Sequence, residues 1–395
     1  MKDLYIFLII LISFSYSFEI DNTLSSSSIY SLLIDQVRKD VINKVLSFLP
    51  KRKSLDLLKM NLEISKVKEA YSLNDAESAF LIYKWISNNI KYKCGEPSLN
   101  SESPSTTYNA GKSGSIGISA LFKNMCSFLN IESNSISGYT KNLFSNNIEQ
   151  VIQEVENDWN YIIINGTYYL IDVSMGTGFC ENNDLLEYFS DFYFGTKPEI
   201  FIRWHFPKDN KWQLLSTNIT PEQFTSMTLL SCTFFINGFK TIEPDSEYIN
   251  IKEGSKLVMT YDKSFLEPEL LCTIVTYENE KEEHLEYNNY TISNGKIEIN
   301  LYKIKEHMTH LLIAIRNSID IDAPSTIAIL CINSSSIKRN ISLTLQDTRQ
   351  LFDTGNKFLK LFSKEMLKGR NMNKLKDKKI KNYLFLKNNK KNLRK

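Results

Sequence analysis

The hydrophobic rhythm of the chain changes several times. From residue 27 to 72 apolar positions recur at three-and-four spacing, as in IYSLLIDQVRKDVINKVLSFL. This predicts helices over 27–48 and 54–72, with Pro50 between them. Asn74 opens a better-marked helix, because Glu77 stands in the reciprocal capping position. Ala79, Ile82, Ile86 and Ile90 line one face of it, with Trp85 beside them. Residues 93–114, rich in Ser, Pro, Gly and Asn, read as a long loop. The next helix is apolar and opens Ser115-Ile116-Gly117 directly after Gly114.

The pattern then turns to alternation. NDWNYIIINGTYYLIDVSMGTG holds two strands joined by Asn165-Gly166, a hairpin-turn pair. Helical and irregular segments lead to FIRWHFPKDNKWQLL. From about Leu229 to Leu345 seven short runs alternate with turns: CTFFINGF, SKLVMTY, LLCTIVTY, KIEINLY, HLLIAIRN, STIAILCIN and ISLTL. Such spacing predicts a compact β-sandwich of immunoglobulin-like kind. The acidic ENEKEEHLE reads as a solvated turn, and it lacks the spacing of a calcium loop.

Composition adds an address. Lys2 precedes the unbroken apolar stretch Leu4–Ile12, and Ser15 and Ser17 suit a cleavage site. This is a secretory signal-peptide pattern, too short to span a bilayer comfortably. Secretion or display at the cell surface is therefore expected, and the sequons at Asn165, Asn218, Asn289, Asn333 and Asn340 become glycosylation candidates. Six cysteines (Cys94, Cys126, Cys180, Cys232, Cys272 and Cys331) are compatible with disulfides there, and their pairing stays open. None stands in metal-ligand spacing, and no cofactor motif is present, so neither metal nor cofactor is expected.

The formal charge of +2 hides an asymmetry. Residues 356–395 hold fifteen Lys or Arg and two acids, a net +13, which leaves −11 for residues 1–355. This basic tail, helical in part or disordered, suits an anionic membrane or glycan, or is simply solvated. It carries no nucleic-acid motif, so no specific nucleic-acid partner is expected.

Four stretches occur in the order seen in transglutaminase-like domains: AFLIYKWISNNIKY (79–92), the turn and helix at 114–122, DWNYIIINGTYYLID (158–172) and YFSDFYFGTKPEIFIRWHFPKDNKWQLL (188–215). The last most resembles the kyphoscoliosis peptidase branch of that family. The resemblance covers roughly residues 60–225. It implies an α+β, papain-like core bearing a Cys-His-Asp triad, commonly accompanied in this branch by a β domain; the fold class expected is that core followed by the all-β immunoglobulin-like sandwich and the basic C-terminal tail. In that family the Cys opens a helix, whose dipole favours thiolate, and the Asp orients the His.

Carried onto this chain, the Cys position is Ser115, the His position is Asn157, and the Asp is Asp172. Trp159 and Asn160 keep the rest of the His motif, while Met175 replaces the Trp that follows the Asp. A Ser hydroxyl needs a positioned base, and an Asn amide is not one. Ser115 is expected to cap its helix, with a hydrogen bond to Asn157 as an option. Asp172 is expected at a strand end with no imidazole to hold, and His205 in a packing role.

The domains expected are a signal peptide (1–17), N-terminal helices (24–72), a transglutaminase-like domain (73–225), a β-sandwich (226–347) and a tail (348–395). The leading function is a secreted, catalytically inactive module that binds protein or peptide. Two alternatives differ in class: a hydrolase or acyltransferase using Ser115, and a surface protein whose basic tail does the work.

Overall fold

The computed structural model describes residues 30–94, 103–141, 156–181, 184–246, 248–249, 255–265, 267–278, 281–301, 308–315 and 326–332. The signal-peptide pattern, the basic tail, the run ISLTL and the sequons at Asn333 and Asn340 lie outside the described residues.

Three helices come first: α1 (Lys39–Phe48), α2 (Leu57–Ala70) and α3 (Asp75–Asn89). The capping box at Asn74 forms as the spacing indicates: Asn74 Oδ1 accepts from Glu77 N, and Glu77 Oε2 accepts from Asn74 N. Helix α3 is buried over most of its circumference, Ala76 through Tyr83 and again at Trp85 and Ile86. A helix apolar all round belongs in a core. The expected helix over 27–48 begins only at Lys39. The Ser31 hydroxyl takes the N–H groups of Leu33 and Ile34 and donates to Phe194 O. Leu32 N and Lys197 N then pair this segment with its neighbour. The apolar spacing of 30–37 thus serves a short segment beside a strand and a 3-10 turn at Ile34–Gln36, because a local hydroxyl competes for the amides a helix would use.

The expected loop over 93–114 contains structure as well. Strand β1 (Lys91–Tyr92) pairs in parallel with β2 (Lys112–Ser113). Between them lies helix α4 (Pro104–Ala110), with Ser103 as N-cap and Pro at its start. Its Ser and Pro are helix-start residues, which composition alone reads as loop.

Helix α5 (Ser115–Phe128) then packs on β3 (Glu132–Thr140) and β4 (Glu156–Ile164). Strand β5 (Thr167–Ile171), helix α6 (Val173–Gly176) and the hairpin β6 (Gly178–Glu181) and β7 (Asp184–Glu187) follow. Strand β8 (Phe194–Thr196), helix α7 (Pro198–Phe201) and strand β9 (His205–Pro207) complete this part. The main sheet runs β8-β5-β4-β3-β9, antiparallel throughout. Ile162, Ile164 and Ile171 join the core of α1–α5. Ile136, Trp159, Tyr161 and Leu170 on the other face pack with Phe201.

After helix α8 (Pro221–Ser226) and strand β10 (Leu229–Leu230) the chain becomes mostly β. CTFFINGF, expected as a strand, is helix α9 (Cys232–Ile236) and a turn at Gly238, φ +83°, before β11 (Phe239–Glu243). The helical turn sends both Phe234 and Phe235 inward, where alternation would expose one of them. The remaining strands are β12 (Tyr248–Ile249), β13 (Lys256–Tyr261), β14 (Leu270–Glu278), β15 (Lys281–Glu286), β16 (Tyr290–Ser293), β17 (Lys296–Asn300), β18 (Met308–Ile315) and β19 (Thr326–Ile332). The acidic stretch expected as a solvated turn supplies β15, paired antiparallel with β14. A strand at a sheet edge tolerates such charge, and charge there discourages further pairing.

One sheet runs β10-β19-β18-β14-β15 with β12 beside β19, the other β11-β13-β17-β16. Their buried residues share one apolar cluster, which Phe192, Ile200 and Trp204 of the preceding region enter. Arg203 reinforces the join with a two-pronged ion pair to Asp245 at 2.7 and 2.8 Å.

Candidate functional site

The N-cap of α5 is Gly114, so Ser115 is the first helical residue and makes no capping bond. This corrects the expected capping role: a capping oxygen must sit one position earlier to reach the free amides of the first turn. Ser115 is 1% exposed. Its Oγ accepts from the backbone N–H of Asp158 at 3.2 Å, tying the helix start to β4. One turn on, Ser119 Oγ donates to Ser135 Oγ at 2.8 Å, and Ser119 O accepts from Asn160 Nδ2 at 3.1 Å. Polar bonds therefore fix the register of α5 on the sheet at two levels.

Asn157 is buried on β4 opposite Gly138. The optional bond between Ser115 and Asn157 is not formed, since the serine meets the next residue's backbone instead. Gly138 is required by its surroundings. A Cβ there would come within 2.4 Å of the Trp159 ring and 2.3 Å of Phe206 O.

Asp172 ends β5 and caps α6. Its Oδ1 accepts from Ser174 Oγ at 2.6 Å and Met175 N at 3.0 Å. Its Oδ2 accepts from His205 Nε2 at 2.8 Å, with both side chains buried. Asp172 thus holds an imidazole after all, and His205 does more than pack. Strand pairing is the cause: β9 lies along the end of β3, with His205 opposite Thr140. His205 Nδ1 faces Phe201 O at 3.3 Å. The ring stacks on Phe201 at 3.8 Å and meets Trp159 edge-on at 5.0 Å. The signal available in sequence was His205 within His-Phe-Pro, but nothing local pairs it with a residue 33 positions earlier.

Phenols surround this carboxylate. Burial first, and the Asp172 charge second, push the Tyr92 hydroxyl up to about 12. Burial and then Asp172 also hold Tyr83 well above its ordinary value. Tyr193 is raised likewise, by burial before the charges of Cys232 and Asp172. These groups stay neutral hydrogen-bond donors, as where Tyr83 donates to Ser190 O at 2.5 Å.

Among the described residues no imidazole is hydrogen-bonded to Ser115. Of the other histidines, His307 is outside the described residues, and His284 and His310 lie on β15 and β18. Cys126, Cys232 and Cys272 are buried and outside any disulfide, whereas Cys94 is in one. Among the described residues no cluster of three or more His, Cys, Asp or Glu is arranged to hold a metal. Asn165 and Asn218 are exposed. Asn289 instead spends its amide nitrogen on Asn300 O at 3.1 Å.

Helix α5 thus packs on the central strands β3 and β4 of the antiparallel sheet, and Asp172 ends the neighbouring strand β5. Residues 65–173 match the model of the transglutaminase-like superfamily. Within it, the chain is similar to the kyphoscoliosis peptidase-like branch. Kyphoscoliosis peptidase of Homo sapiens is 25% identical over 237 residues, which are 59% of this chain and 35% of that protein. Hillarin of Drosophila melanogaster is 27% identical over 178 residues, 42% of this chain and 22% of its own length. The chain thus spans about a third or less of these relatives. Among solved structures, one described as a TGase is 11% identical and covers 46% of this chain and 42% of its own, with a TM-score of 0.23.

Proposed function

We propose that this protein is a catalytically silent transglutaminase-like module, secreted or held at the cell surface, that binds protein or peptide. One observation carries the reading. The Ser115 hydroxyl is engaged by a backbone amide, and the histidine beside the retained Asp172 has both ring nitrogens facing oxygens. Both ring nitrogens are engaged away from Ser115, so neither is placed to take its proton, and loss of a triad member costs on the order of 10⁶-fold in rate. The cleft that houses an extended peptide in an active relative would remain as a binding surface. The disulfide at Cys94 supports an oxidising compartment. The two sheets sharing one core support an immunoglobulin-like sandwich, a fold commonly used for interaction.

A second reading draws on the same pair, because Asp172–His205 is a carboxylate-held imidazole, as a serine hydrolase needs. It requires His205 to turn and release Phe201 O. A fluorophosphonate probe on the purified protein separates the two. The proposal expects no labelling, and stoichiometric labelling lost in Ser115→Ala would make the protein an enzyme.

A further inference from the structure

The outer face of the β4–β5 hairpin carries an aromatic group that the candidate site does not use. Tyr161 stacks on Trp212 with ring centroids 4.5 Å apart, and Tyr168 meets the two rings edge-on at 5.4 and 5.9 Å. Lys211 Nζ lies 5.1 Å from the centre of the Trp212 ring. Tyr161 is 9% exposed but Tyr168 is 42% exposed, so the group is anchored below and open above.

The hairpin tip stands next to it. Asn165 and Gly166 form the turn with φ of 51° and 76°, and Thr167 opens β5. Asn165 is exposed, and its amide makes no hydrogen bond among the described residues. A carbon added to Gly166 would meet nothing within 4 Å, so the space round the tip is open. Tyr168 stands one strand position past Thr167, a rise of about 3.4 Å, within reach of a substituent on Asn165.

We propose that Asn165 carries an N-linked glycan whose first sugars lie on Tyr168 and the Tyr161–Trp212 pair. This rests on the secretory reading above. The donor is a lipid-linked oligosaccharide pyrophosphate. Its anomeric C–O bond breaks, the C–Nδ2 bond to Asn165 forms, Nδ2 loses one proton, and the lipid pyrophosphate leaves with the bonding pair. A sugar ring offers an apolar C–H face and polar edges. A half-open aromatic platform suits the first and the solvated rim suits the second. Asn289 lacks this freedom, because its amide nitrogen is already bonded within the fold.

The test uses the full chain secreted from a eukaryotic host, with Asn218 as internal control. Thr167→Val removes the Asn165 sequon while keeping Asn165 in its left-handed turn, and Asn218→Gln removes the control. The expected result is loss of one glycan in each variant by intact mass. Thr167→Val should also lower Tm by about 2 °C when Tyr168 is present and by nothing in a Tyr168→Ala background. A glycan on Asn218 with none on Asn165 would overturn the proposal and leave secretion standing. Glycans on neither would overturn both. A glycan on Asn165 whose stabilising effect ignores Tyr168 would overturn the docking on the aromatic group.

Discussion

Asp172 and His205 meet at 2.8 Å across 33 residues of sequence, both out of water. The imidazole also stacks on Phe201, so its polar bond and its packing compete as reasons for its presence. Two substitutions tell them apart. His205→Phe keeps a ring but strands a buried carboxylate, and should cost about 3–5 kcal/mol in chemical denaturation. His205→Gln keeps a donor and loses the stack, and should cost less. The reverse order would mean that packing is the main role.

Restoring the missing groups should restore chemistry. A carboxylate offers about four acceptor sites, and Ser174, Met175 and His205 occupy three on Asp172. The remaining one is left for an imidazole introduced at position 157, which lies on β4 opposite Gly138. Ser115→Cys with Asn157→His is therefore expected to react with iodoacetamide near neutral pH, and Ser115→Cys alone far more slowly. Wild type supplies the background from the native cysteines. Burial raises the Cys126 thiol and pushes the Cys272 thiol up to about 12, so neither should label in the native state. Equal rates for the single and double variants would show that position 157 no longer communicates with the helix start.

The parts legible in sequence are those encoded locally. Asn74 and Glu77 announce their helix because both capping partners lie within one turn. The hairpin at Asn165-Gly166 is equally local. What escaped depends on distant partners. Residues 30–37 have helical spacing, but Tyr30–Leu32 lie beside β8 and only a short 3-10 turn follows at Ile34–Gln36, since Ser31 finds its acceptor at Phe194. His205 meets Asp172 only because β9 returns beside β3. CTFFINGF looks alternating, and only the shared core with Phe192 and Trp204 shows why Phe234 and Phe235 both turn inward. The reacting positions could be placed from the motifs, but the environment of Ser115 could not: its partner is a backbone amide, which no side-chain pattern announces.

Acid should loosen the N-terminal helices. Glu77 is buried and pairs with Arg38 at 2.5 and 2.7 Å while it caps α3. The bond from Arg38, more than any other cause, holds its carboxyl below the usual Glu range. A depressed carboxyl contributes stability that is present above its unfolded value and lost as pH falls through the folded one. Wild type should therefore lose Tm below about pH 4.5, more steeply than Glu77→Gln. At pH 7 Glu77→Gln should be less stable by about 1 kcal/mol. Parallel acid curves for the two proteins would remove Glu77 as the source.

Lys141 offers a test of how the helix before the β region is held. Its side chain is buried, and Nζ donates to Phe224 O at 3.0 Å, Thr225 O at 3.1 Å and Met227 O at 2.9 Å. These are carbonyls at and just past the end of α8, where the helix lacks partners of its own and carries partial negative charge. The ammonium also lies 5.4 Å from the centre of the Phe224 ring. Lys141→Met keeps most of the aliphatic stem, so what it removes is the cation. Several buried carbonyls would then lack a donor, at about 1–3 kcal/mol for each group left unsatisfied. Hydrogen exchange should quicken over residues 221–230 while β4 and β5 stay protected, because their ladder does not pass through Lys141. Uniform loss of protection would instead place Lys141 in the cooperative core of the whole fold.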